Sequence, residues 1–219
     1  MSDLSQSASG AAPDEGVHFY IPSEGHGLPH DPLNAIVGPR PIGWIASHDN
    51  AGKVNLAPYS FFNVFNYTPP IIGFCSVRKK DSLVNVTQTR EFTWNLVSRD
   101  LAEAMNKTSA PVAYGVDEFD ISGLSKVASR TIAVPRVKEA HVSFECKVTQ
   151  IVQLEDTDAR AINAWLVLAE VVGIHIARHL LVDGVYDTAA ARPVLRGGGP
   201  EDYFEIKPDA LFRMTRPTA

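Results

Sequence analysis

Two long runs in the second half of the chain limit its folding choices more than any other feature. His141–Leu154 alternates, with Val142, Phe144, Cys146 and Val148 on one face and a phase shift where Ile151 and Val152 follow one another. Asn163–Ile176 is as long, apolar, and rich in Val, Leu and Ile. Period-two alternation is the signature of a strand, so the pair reads as a long two-stranded return.

Shorter strands precede it. Ile42–Ser47 is bounded by Pro41 and by the turn residues His48-Asp49-Asn50-Ala51-Gly52, and the Asp49–Lys53 stretch reads as a hairpin connection to VNLAPYS. Pro70–Val77 is a nearly continuous apolar run, suited to a strand buried on both faces. Glu91–Val97 is aromatic and β-branched. Residues 18–35 read as a short strand and a long loop. Helices are fewer: Ser82–Arg90, opened by the N-cap types Asp81 and Ser82, and Ser98–Thr108, where Leu101, Ala104 and Met105 share a face. This order lacks the regular βαβ alternation of a doubly wound fold. It predicts a mainly β chain, an antiparallel barrel with a few peripheral helices. Residues 17–219 form one domain in this reading. Residues 1–16 form a flexible tail, without the basic and apolar regions of a secretory leader.

Composition narrows the function classes. The formal net charge is -5, which argues against a general nucleic-acid binder. Cys75 and Cys146 sit inside apolar runs and read as buried free thiols, in keeping with a reducing cytoplasm. No run reaches the length of a membrane span.

The segment Ser76–Asn85 carries the chemistry. An apolar strand ends, Arg78, Lys79 and Lys80 follow at once, and a helix opens at Asp81-Ser82. A helix N-terminus presents unpaired N–H groups and a positive dipole end, and with cations and a hydroxyl it makes a phosphate cradle. A solvated basic turn before an ordinary helix is the plain alternative. Asn55–Asn63 (NLAPYSFFN) could border a flat heterocycle with its backbone, or simply pack as a strand end. Neither a G-x-G-x-x-G fingerprint nor a Walker A sequence is present, and Gly197-Gly198-Gly199 reads as a turn. His175 and His179, four apart, lie in a β-rich run with no carboxylate nearby in sequence, and no metal site is assigned to them.

Several segments in a fixed order resemble the flavin reductase-like family of FMN-binding split-barrel proteins, which includes flavoredoxin and the small reductase components of two-component monooxygenases. These are PRPIGWIAS (39–47), NLAPYSFFN (55–63), PPIIGF (69–74), KDSLVN (80–85), EFTWNL (91–96) and EFDISGL (118–124). FECK (144–147), EVVGIH (170–175) and PVLRGGGPEDY (193–203) follow. The resemblance implies an antiparallel split barrel, a homodimer, and FMN near the interface. By this analogy Ser76, Val77, Arg78, Lys80 and Ser82 hold the phosphate. Ser47 and the segment Pro58, Tyr59, Ser60 to Asn63 border the isoalloxazine, Arg40 is a further contact, and Arg196–Tyr203 closes over the site. The resemblance further implies a flavin reductase fed by NADH or NADPH, with an oxygenase as a possible acceptor. The alternative is an FMN electron-transfer protein reduced by a protein partner. No catalytic side chain is assigned, because hydride transfer belongs to the cofactor.

Overall fold

The computed structural model describes residues 16–217. The expected tail at 1–16, apart from Gly16, therefore lies outside the described residues. Seven strands build one antiparallel sheet: β1 Gly43–His48, β2 Val54–Tyr59, β3 Phe62–Asn66, β4 Ile71–Val77, β5 Glu91–Asn95, β6 Val142–Glu155 and β7 Ala161–Ile176. Their spatial order is β2-β1-β5-β6-β7-β4-β3. The two edge strands of this strip are consecutive in the chain, joined only through Ser60 and Phe61. A seven-stranded strip whose edges are two residues apart in the chain has to curl back on itself, which brings those edges side by side. The mainly β antiparallel split barrel expected from the sequence is the fold observed.

The hairpin between β1 and β2 closes where DNAGK predicts it. Asp49 Oδ1 accepts from Ala51 N at 2.8 Å and Lys53 N at 2.9 Å, and Gly52 takes the positive φ of 81°. The phase shift near Ile151 is a β-bulge. Leu168 faces Gln150 and Ala169 faces Val148, so Thr149 is the extra residue and Val148 and Ile151 both reach the core side.

Two cores result. Inside the curl, Ile45, Phe74, Phe92, Trp94 and Val167 pack together, with Leu83 and Val86 closing one end. Outside it, Trp44, Ala46 and Leu56 pack with Met105 and Phe119. The last two come from the helices α2 Ala102–Lys107 and α3 Glu118–Ser122. Leu83 and Val86 belong to α1, Asp81–Thr89. A second, three-stranded sheet orders Arg40–Pro41, Val194–Arg196 and Tyr203–Glu205.

Four expectations need correction. Residues 18–35 contain no strand; they hold a 3-10 turn at Pro22–Glu24 and one helical turn at Leu33–Ile36. Pro22, Pro29 and Pro32 remove ladder donors there, and Asp31 accepts from Leu33 N at 2.9 Å. The N-cap of α1 is Lys80, with Asp81 and Ser82 already in the first turn. The expected helix Ser98–Thr108 begins as a 3-10 turn, Arg99–Leu101, before α2. Cys146 is buried, but Cys75 is only half-buried. Burial pushes both thiols up, which keeps them poor nucleophiles. Gly197-Gly198-Gly199 is a packing feature: a Cβ on Gly198 would lie 2.0 Å from Ala35 Cα. Among the described residues no helix is long and apolar enough to cross a membrane.

Candidate functional site

A cavity of about 440 Å³ opens between the end of β2, the start of α1 and the segment 108–112. Lys79, Lys80, Asp81 and Ser82 form one end, Pro58 and Tyr59 one side, and Asn55 and Glu118 part of the lining. A second cavity of about 290 Å³ shares Pro58, Tyr59 and Ser109 with the first and continues to Ser60, Arg196 and Tyr203. Together they form a trough with cations and a helix N-terminus at one end and the Pro58–Ser60 segment along its side.

The α1 end is electrostatically open. Lys80 as N-cap makes no side-chain cap bond, and the first amide to bond back to it is Val84 N, to Lys80 O at 3.1 Å. The first-turn amides are thus left without helical partners. Lys80 is exposed, its Nζ 5.6 Å above the Tyr59 ring. Tyr59 itself is turned into the core, 4.7 Å from Phe74 between ring centroids. Its buried hydroxyl makes no hydrogen bond, and burial pushes it up.

Below the cavity, Asn55 and Ser82 are bonded at 2.8 Å. With the Asn55 amide nitrogen facing Glu118 Oε1 at 3.3 Å, its oxygen accepts from Ser82 Oγ, an orientation that satisfies both ends of the amide. The Ser82 hydroxyl is then committed, and Ser82 offers the cavity its backbone. Glu118 is buried and accepts from Leu56 N at 2.9 Å. Burial pushes its carboxyl up more than that bond lowers it. Asp81 is likewise raised by burial, with its own amide pulling the other way.

Of the residues named from the sequence, Pro58, Tyr59, Ser60, Lys80 and Ser82 meet at this trough. Others line neither cavity. Ser47 is buried behind α1 and takes a 3.2 Å bond from Asn85 Nδ2. Ser76 is buried and donates to Arg78 O at 2.9 Å. Val77 and Arg78 are exposed at the β4 end, Arg78 with a φ of 73°. Asn63 is exposed, its Oδ1 accepting from Val64 N at 2.8 Å. Arg40 is a strut: its guanidinium donates to Ser60 O at 3.1 Å, to Val37 O at 2.7 Å, to Asn34 O, and to Gly197 O at 3.4 Å. It holds the Ser60 backbone in place rather than facing the trough.

Sequence reasoning gave Glu118 no partner, took Asn55 only as the start of the Asn55–Asn63 segment, and missed the 108–112 wall. A local signal existed for the first: Asp117 caps α3 by accepting from Phe119 N at 3.0 Å, and Gly123 ends it at φ 75°. His175 and His179 do not face each other. His175 Nε2 lies 2.5 Å from Glu145 Oε1, and His179 stacks edge-on against His141 at 4.9 Å.

The family model described as the flavin reductase-like domain matches residues 38–193. The chain belongs to the flavin reductase-like family. An uncharacterized protein of Halalkalibacterium halodurans is 35% identical over 191 residues, spanning 85% of this chain and 90% of the relative. Nitrilotriacetate monooxygenase component B of Bacillus cereus superposes with a TM-score of 0.79 at 27% identity, over 96% of this chain and 100% of that one. The 2-nitrobenzoate 2-nitroreductase of Pseudomonas fluorescens superposes with a TM-score of 0.74 at 29% identity, over 85% and 89% respectively. The matched region spans every strand of the curled sheet and the α1 end of the trough, and stops short of Arg196 and Tyr203.

Proposed function

We propose that this chain binds FMN in the trough and acts as a flavin reductase that takes hydride from NADH or NADPH. One observation carries the reading: the uncapped N-terminus of α1, flanked by Lys79 and Lys80, closes one end of a cavity whose side is the Pro58–Ser60 segment. The fit is chemical. A phosphate answers the free first-turn amides and the ammonium groups, and Tyr59 lines the same cavity beside them. Lys80 and the amides of Asp81 and Ser82 hold the phosphate. The backbone of Pro58, Tyr59 and Ser60, braced by Arg40, orients the ring. When bound, FMN supplies hydride acceptance at N5 and onward electron transfer. No side chain of the trough is assigned a proton transfer.

Lys80→Ala is expected to raise the FMN dissociation constant about tenfold without lowering the unfolding midpoint, since Lys80 is exposed. Fluorescence titration reads the first quantity and thermal melting the second; unchanged affinity would remove Lys80 from the site. The reaction is tested by visible spectra of the FMN-loaded protein before and after anaerobic NADH, then NADPH. Bleaching over many turnovers supports the reductase. Bound flavin that neither nicotinamide reduces would instead favour an electron carrier serving a protein partner. The homodimer belongs to the same proposal and is supported by the exposed apolar residues Phe61, Val64, Phe65 and Tyr67 on and beside β3. Light scattering at twice the chain mass is the expected result.

A further inference from the structure

Beyond the phosphate end of the trough lies a groove of about 510 Å³ on the outer side of α1. Its floor is the half-buried Trp165 of β7, with Ile151 of β6 beside it and Leu83 and Val84 of α1 as apolar walls. Two cations border it, Lys79 and Arg90. The remaining lining residues, Thr87, Gln88 and Gln153, are uncharged, so the groove holds no carboxylate in a chain whose net charge is -5. Lys79 lines this groove and the 440 Å³ cavity alike. Its ammonium now stands 5.6 Å over the Trp165 ring.

An indole face with apolar walls and cations is the chemistry that receives a purine nucleotide: the base stacks and the phosphate pairs. We propose that the Trp165 groove is an adenylate subsite, so that the chain accepts FAD with its flavin in the trough and its adenine on Trp165. This rests on the placement of the flavin phosphate at the start of α1. It also follows from that placement, because only a ligand that continues beyond the flavin phosphate arrives at Lys79 and the groove. A nicotinamide dinucleotide would have to meet the flavin ring beside Pro58–Ser60, and titration with NADH separates that ligand from FAD. Lys79 moves from the indole to the second phosphate, exchanging a solvent-exposed cation–π contact for a charge-assisted one.

The test is a set of titrations with FMN, FAD, AMP and NADH on the wild-type chain and on Trp165→Val, Trp165→Phe and Gln88→Glu. Circular dichroism checks each fold. Trp165→Val should raise the FAD dissociation constant about tenfold and leave that of FMN within about twofold, and Trp165→Phe should recover most of the loss. Gln88 is exposed on α1, so Gln88→Glu puts a carboxylate in the groove without touching the core. It should weaken FAD selectively as well, and this arm decides if Trp165→Val does not fold. FAD affinity indifferent to these changes, or FMN and FAD falling together, would overturn the subsite. Failure of FMN itself to bind would overturn the trough assignment instead. In that case AMP quenching of Trp165 fluorescence, absent in Trp165→Phe, still supports adenylate binding in the groove, and no quenching overturns it. Quenching by NADH without selective FAD loss would assign the groove to the nicotinamide donor and overturn the FAD reading.

Discussion

Trp44→Ala is expected to destabilise the chain by about 4 kcal/mol, the cost of emptying a fully packed indole site. Trp44 is 0% exposed and lies at the centre of the outer core with Leu56, Met105 and Phe119. Its Nε1 also donates to Thr108 Oγ1 at 3.0 Å, and Thr108 belongs to the wall of the 440 Å³ cavity. The substitution therefore strikes stability and site together. Trp44→Phe separates the two, because it keeps most of the ring and loses only the N–H. We expect a cost of about 1 kcal/mol from the lost hydrogen bond and a several-fold weaker grip on FMN as the 108–112 wall loosens. Urea unfolding and flavin titration of both variants give the numbers. A phenylalanine variant with weaker stability but unchanged flavin affinity would detach the Thr108 wall from the binding site.

Glu145→Gln is expected to cost about 2 kcal/mol at neutral pH, with an effect that fades in acid. The Glu145 side chain is 0% exposed. It accepts from Arg130 N and Thr131 N at 2.7 Å, and from Thr131 Oγ1 and His175 Nε2 at 2.5 Å. Burial alone would raise its carboxyl, but the bonds from Thr131, Arg130 and His175 prevail and hold it at about 2, below the ordinary 4.5. A depressed carboxyl stabilises the fold above its unfolded value, and that contribution is lost as pH falls from about 4.5 to about 2. A glutamine turns an N–H₂ toward amides that are themselves donors, so the 130–131 loop loses its anchor on β6. Urea midpoints should show the wild-type advantage nearly equal at pH 7 and pH 5 and much smaller at pH 3. An advantage that stays constant down to pH 3 would mean that Glu145 is not the group titrating.

The strands were legible because their apolar periods are long. Even the Thr149 bulge showed itself, as a slip of phase between Val148 and Ile151. The side-chain facing of β1 was not legible. Ile45 points into the curl while Trp44 and Ala46 point to the outer core, so both faces are apolar and alternation carries no direction. Hence Ser47 was expected at the ring and lies under α1. Arg40 illustrates a second blind spot. A guanidinium reads as an anion contact, yet its donors go to the nearby Val37 carbonyl and to the Ser60 and Gly197 carbonyls, two stretches that only the tertiary structure brings to it. Lys80 and Ser82 were found because a helix start after a basic turn is a local signal. Glu118 and Asn55 are partners across more than sixty residues; the cap and the glycine that bound α3 mark the helix, but nothing local marks that pairing.

The two-residue link between the edge strands has a mechanical consequence. It acts as a clasp: the circumference of the barrel is fastened by covalent chain at Ser60-Phe61, and one side of the trough rests on that fastening. A circularly permuted chain opened between these residues would keep its ladder pairings and lose the clasp. The Cys75 amide, bonded to Phe61 O at 2.8 Å on the rung beside it, would then exchange with solvent earlier than the amides of β5. Bound flavin, leaning on both halves of the opened rim, would slow that exchange again.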